Sequence, residues 1–261
     1  MRCDLDENRF LKALRAGQPQ IGLWSTLCSP VSAELVAYSG FDWLLFDSEH
    51  SPVEIAGLLP LMQAASSGTA AAVVRVAWND SVLIKRALDI GAQSLLIPFV
   101  QNAQEAQAAV AACHYPPEGI RGVSGVTRAT RFGRVTGYPG KAGKEICVLV
   151  QLETITALEH LEDIAATPGL AGLFIGPADL AASMGFLGRP DAPEVQEVLR
   201  ESVKRIKTAG LPAGILATNP TDANRYLEWG YTFVAAGVDA SLLAQAADAL
   251  RAKVGSPQDE A

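Results

Sequence analysis

Two carboxylates stand behind short apolar runs in the middle of the chain. Glu153 closes the run 146–152 (ICVLVQL), and Asp179 follows the run 173–175 (LFI) after Gly176-Pro177-Ala178. Runs this short, rich in Val, Ile and Leu and without polar alternation, predict parallel strands buried on both faces. A helical segment opens after each, at Thr154 and at Pro177, which suits a first helical turn because its missing N–H is not needed there. Parallel strands deliver such residues to one end of a sheet, where α/β folds keep their chemistry. Two oxygen ligands beside free helix N–H groups could hold a hard divalent cation together with a small anion. Two helix-capping carboxylates are the plain alternative.

Other chemistry-bearing residues fall at the ends of further predicted strands. His50 follows the run 42–47 (DWLLFD), with Asp47 three residues before it, close enough to orient the ring and raise its basicity. Arg75 closes the run 71–76 (AAVVRV), and an Arg at the end of a buried strand needs a partner. A structural ion pair with Glu49 or Glu153 would satisfy it, just as capping or plain surface exposure would satisfy His50. Trp24, Gln151 and Leu216 lie at corresponding strand ends, whereas His114 and His160 read as structural.

The elements that must position these residues alternate along the chain. Strands are predicted at 20–26, 42–47, 71–76, 93–100, 146–152, 173–175, 212–217 and 231–236. Helices are predicted at 8–16, 32–38, 53–65, 81–89, 103–113, 193–209, 222–229 and 240–253. The stretch 114–144 interrupts this alternation as a long Gly-, Pro-, Arg- and Thr-rich loop, a length that marks function or an interface. Eight strands alternating with helices over 261 residues predict an α/β (β/α)₈ TIM barrel. A doubly wound open sheet is the alternative, but no GxGxxG or Walker loop follows the first strand. A single domain over 1–254 and a polar, disordered tail over 255–261 are expected.

The net charge of −7 argues against a nucleic-acid partner and against anionic membrane surfaces. No apolar run reaches the roughly eighteen residues of a membrane span. Four cysteines without CxxC spacing read as reduced structural thiols in a cytoplasmic protein.

Several segments together resemble one family: Gly22-Leu23-Trp24, 42–50 (DWLLFDSEH), 74–76 (VRV), 98–103 (PFVQNA), 115–123 (YPPEGIRGV), 151–154 (QLET) and 174–180 (FIGPADL). In order and spacing the chain is similar, from about residue 11 to 252, to the class II (metal-dependent) pyruvate aldolases of 4-hydroxy-2-oxoheptanedioate and 2-dehydro-3-deoxyglucarate aldolase type. The resemblance implies a barrel of the phosphoenolpyruvate/pyruvate superfamily. It implies that Glu153 and Asp179 bind Mg²⁺, Mn²⁺ or Co²⁺, that His50 is the base and that Arg75 steadies an enolate. Gln151 and the backbone at Ala178 would hold the pyruvate unit, with Gly176, Pro177, Trp24 and Leu216 counted in the substrate pocket. Asp89 matches a position that raises the basicity of the histidine. The residue pattern places it at a helix C-terminus, on the far side of the barrel, so that role calls for an Asp89 from a neighbouring subunit or for a different helix boundary.

The expected reaction cleaves a 4-hydroxy-2-oxo acid to pyruvate and an aldehyde. A Schiff-base route would need a lysine on a strand end. Lys85, Lys204 and Lys207 fall on predicted helices, and Lys141 and Lys144 on the long loop. A coenzyme A ester lyase of the same superfamily and a non-catalytic metabolite-binding barrel remain as alternatives. Phe132, Val135 and Tyr138 on the long loop, and the apolar face of 240–250, predict a homo-oligomer; relatives imply a hexamer.

Overall fold

The computed structural model describes residues 3–254; the expected tail at 255–261 lies outside them. Eight parallel strands close into a barrel in sequence order. They are β1 (Gln20–Ser25), β2 (Trp43–Asp47), β3 (Ala71–Arg75), β4 (Ser94–Ile97), β5 (Cys147–Leu152), β6 (Leu170–Ile175), β7 (Ala213–Leu216) and β8 (Phe233–Val238). The helices are α1 (Arg9–Arg15), α2 (Pro30–Ala37), α3 (Ile55–Ala65), α4 (Ser81–Asp89), α5 (Ala103–Cys113) and α6 (Tyr138–Ala142). They continue with α7 (Ile155–Glu159), α8 (Leu161–Ala165), α9 (Pro177–Ser183), α10 (Pro193–Thr208), α11 (Pro220–Trp229) and α12 (Asp239–Lys253). The barrel expected from the alternation is the one observed, and the open sheet is not.

Alternate residues of each strand face opposite sides, which divides the apolar residues into two cores. Leu44, Phe46, Val74, Leu95, Val148 and Val150 pack outward under the helices. Leu45, Val73, Leu96, Leu149, Phe174 and Phe233 fill the barrel, and α1 closes its lower end with Phe10, Leu11 and Leu14. Trp43 and Phe233 meet Phe10 there, at centroid distances of 5.6 and 5.9 Å. Gly22 makes room for this aromatic layer, because a Cβ on it would lie 2.2 Å from the Trp43 ring.

The sequence misplaces some boundaries. β4 is four residues long, not the span 93–100, because Pro98 has no N–H for the ladder. The segment 114–144 is not all loop, since α6 and a 3₁₀ turn (Gly143–Glu145) lie at its end. Two of its apolar residues are also not surface. Val135 bridges to Cys3, and Tyr138 packs over Arg121, leaving Phe132 as the exposed member of the three. The helix after β5 breaks into α7 and α8 at His160.

Candidate active site

The inward phase of the strands carries polar residues once the apolar layers end at the carboxyl end of the barrel. Two residues beyond Leu45, Val73 and Leu149 stand Asp47, Arg75 and Gln151, all buried. Asp47 and Arg75 are register partners across β2 and β3. Arg75 donates from Nε to Asp47 Oδ1 at 2.9 Å and from Nη2 to Oδ2 at 2.6 Å. Its third nitrogen, Nη1, lies 2.8 Å from Glu49 Oε2 as an ion pair without hydrogen-bond alignment. The guanidinium also sits over the Trp24 ring, 4.7 Å from its centroid, and Trp24 Nε1 donates to Asp47 Oδ2 at 3.3 Å. Burial disfavours the Asp47 carboxylate. The hydrogen bonds and charge of Arg75 outweigh it and hold the carboxyl below its ordinary range.

This arrangement changes the role expected for Asp47. Its carboxylate is committed to Arg75 and to the backbone N–H groups of Glu49 and His50, at 2.9 and 3.4 Å. The acid beside the imidazole is Glu49, with Oε1 3.9 Å from His50 Nε2. Glu49 thus stands between Arg75 and His50, and its carboxyl is raised, first by burial. From the sequence, Glu49 reads only as a structural partner of Arg75. Its place within the Asp47–His50 turn was the available signal. The His50 side chain itself is 64% exposed.

Glu153 follows β5 and is buried. Its Oε1 accepts from Phe99 N–H at 2.8 Å and its Oε2 from Gln151 Nε2 at 2.5 Å. Burial, then the like charges of Glu49 and Asp179, push its carboxyl up to about 7. Gly176 allows this packing, because a Cβ there would come within 2.8 Å of Glu153 Oε2 and 2.9 Å of Gln151 Nε2. Pro177 is the first residue of α9, and the exposed Ala178 and Asp179 follow on its first turn. Leu216 ends β7, partly buried against the barrel interior.

Asp89 is not brought to His50 within the chain. It ends α4 and accepts from Arg121 Nη2 at 2.9 Å.

The residues present fit a divalent cation. Glu153 and Asp179 bring negative charge together; the Glu153 carboxyl is raised first by burial and then by the like charges of Glu49 and Asp179, and a cation relieves that repulsion. Gln151 Oε1 is a buried oxygen with no donor. No group of three His, Cys, Asp or Glu side chains able to hold a metal forms among the described residues.

Known proteins give the same direction. Residues 20–246 match the HpcH/HpaI aldolase/citrate lyase family. The chain is 54% identical over 250 residues to a pyruvate aldolase of Rhizobium etli, covering 96% of this chain and 98% of that one. It is 52% identical over 254 residues to a 4-hydroxy-2-oxo-heptane-1,7-dioate aldolase of Salmonella dublin, covering 97% of each. Among solved structures, an HpcH/HpaI aldolase/citrate lyase family protein of Burkholderia cenocepacia superposes with a TM-score of 0.93 at 37% identity, covering 95% of this chain and all of that one. A barrel with this carboxyl-end arrangement and these relatives has one assignment: the chain belongs to the HpcH/HpaI aldolase/citrate lyase family.

Proposed function

We propose that this protein is a metal-dependent carbon–carbon lyase that reversibly cleaves 4-hydroxy-2-oxo acids to pyruvate and an aldehyde. The observation that supports it most is Arg75, a buried cation held by Asp47 and Glu49 at the same barrel end as Glu153 and Asp179. Breaking the C3–C4 bond leaves negative charge on the 2-oxo oxygen, and fixed positive charge placed there lowers the barrier. Glu153 and Asp179 would hold the cation, which when bound supplies Lewis-acid stabilisation of that oxygen.

Each protein residue then has a separate task. His50 takes the C4 hydroxyl proton as the aldehyde leaves, and its exposure at the mouth lets it exchange that proton with water. Arg75 steadies the enolate, which takes a proton at C3 to become pyruvate. Gln151 and the backbone at Ala178 hold the pyruvate unit, and Trp24 and Leu216 flank it. The test is enzymatic detection of pyruvate from a 4-hydroxy-2-oxo acid. Wild-type protein should release it, and Arg75→Ala should not do so above about a hundredth of that rate. Equal rates in the two proteins would overturn the reading.

We further infer a homo-oligomer, a hexamer by family resemblance, working in the cytoplasm, where four unpaired cysteines are unexceptional. The last helix supports assembly. Only Asp239 of α12 is buried, while Leu242, Leu243 and Leu250 are exposed. On α2, Val31 and Leu35, with Tyr38 at the helix C-cap, form a second exposed apolar stripe at helical spacing. Exchange of α12 between copies would cover both faces. No helix among the described residues is long and apolar enough to cross a membrane.

A further inference from the structure

Phe99 lies two residues past the end of β4, with a backbone φ of +55°. A bulky side chain in that left-handed region is an outlier that its surroundings must hold in place. The conformation directs Phe99 N–H onto Glu153 Oε1, 2.8 Å away. The next residue, Val100, donates its N–H to the Gln151 carbonyl at 3.1 Å. Gln101 Oε1 then accepts from the Thr154 hydroxyl at 2.5 Å. The connection from β4 to α5 is therefore stitched to the end of β5 residue by residue.

The Phe99 ring takes no part in the core. It is 40% exposed and stacks on Trp78, itself 52% exposed, with centroids 5.6 Å apart and planes inclined by 27°. Trp78 belongs to the connection from β3 to α4. That turn is held by Asp80 N–H donating to the Trp78 carbonyl at 2.8 Å and by Asn79 Nδ2 donating to the Glu105 carbonyl at 3.0 Å. A fixed turn thus offers a flat ring to a residue whose backbone is otherwise disfavoured. Aromatic stacking removes the two facing ring surfaces from water and sets the ring geometry.

We propose that the Trp78–Phe99 stack is a positioning clamp, which keeps Phe99 in its left-handed conformation so that its N–H fixes the Glu153 carboxylate in the orientation that receives a divalent cation. The inference rests on the reading of Glu153 as a cation ligand. Both aromatic residues act through Glu153, in the way that hydrogen-bond partners behind a ligand tune metal affinity.

The experiment is a Mn²⁺ titration followed by electron paramagnetic resonance, with melting temperatures recorded on the same samples. It compares wild type, Glu153→Gln, Phe99→Ala, Trp78→Ala and Trp78→Phe. Glu153→Gln should abolish binding. Phe99→Ala should weaken it about tenfold and Trp78→Ala at least about threefold, while Trp78→Phe, which keeps a stacking ring, should restore it. The melting temperature of Trp78→Ala should stay close to the wild-type value, since about half of Trp78 is already exposed to solvent. Wild-type Mn²⁺ affinity in Trp78→Ala overturns the clamp, as does weakening that Trp78→Phe fails to relieve. Wild-type affinity in Glu153→Gln instead overturns the ligand reading on which the clamp depends. Should Phe99→Ala fail to fold, the two variants of the exposed Trp78 decide the matter.

Discussion

Asp47 and Arg75 face each other across the β2–β3 ladder and are joined by two parallel hydrogen bonds of 2.9 and 2.6 Å, both side chains buried. The pair carries no net charge, and the guanidinium is fixed in place, not mobile, since every nitrogen of it faces a carboxylate of Asp47 or Glu49. Removing one partner of a buried pair leaves the other uncompensated. Asp47→Ala should therefore lower stability by about 3 kcal/mol, with Glu49 retaining part of the pairing. The urea midpoint checks this, and an unchanged midpoint would show that the pair does not hold the barrel end together.

His50 and Arg75 should separate in kinetics. His50→Ala should slow cleavage by about 10²–10⁴-fold, the usual worth of a positioned acid–base group. Mn²⁺ affinity should survive, because Glu153 and Asp179 are untouched. Arg75→Ala should damage both cleavage and exchange of pyruvate methyl protons, since each passes through the same enolate. Arg75→Lys should recover only part of either rate, a point charge replacing a planar fork. Proton exchange followed by magnetic resonance in D₂O makes the comparison. Exchange intact in Arg75→Ala but lost in His50→Ala would reverse the two roles.

The cysteines should divide by burial. Cys113 and Cys147 are buried, and desolvation pushes both thiols up to about 12, so almost no thiolate exists at pH 8. Cys3 and Cys28 are partly exposed. Alkylation at pH 8 in native protein should label Cys3 and Cys28 and spare the other two until the chain is unfolded. Rapid native labelling of Cys147 at the bottom of the barrel would contradict the packing around it.

Much of this site was legible because parallel strands expose their carboxyl ends together. Asp47, Arg75, Gln151 and Glu153 could be aligned from the lengths of their apolar runs alone. What escaped depends on geometry that runs of apolar residues do not encode. Glu49 sits on a turn, and only the turn's path places it between Arg75 and His50. The part played by Phe99 comes from a left-handed φ, which an apolar side chain does not advertise. Val135 and Tyr138 looked like surface because a Gly-rich loop carries no period from which their burial can be read. For α12, apolar residues predict a covered face, but nothing in one sequence says which copy supplies the cover.

Assembly has a direct check. Light scattering at micromolar concentration should give a mass of several chains, six by resemblance. Leu243→Asp or Leu250→Asp, placing charge on the exposed face of α12, should shift that mass toward the single chain while leaving the barrel folded. A wild-type monomer would refute the oligomer.

Glu153 and Asp179 are proposed to hold a divalent cation needed to cleave a 4-hydroxy-2-oxo acid. The most direct measurement is pyruvate release from such an acid before chelation, after exhaustive chelation, and after readdition of Mg²⁺ or Mn²⁺. Activity should vanish in the chelated protein and return with either ion, as a site of two carboxylates completed by substrate and water requires. Full pyruvate release from metal-free protein would contradict the account.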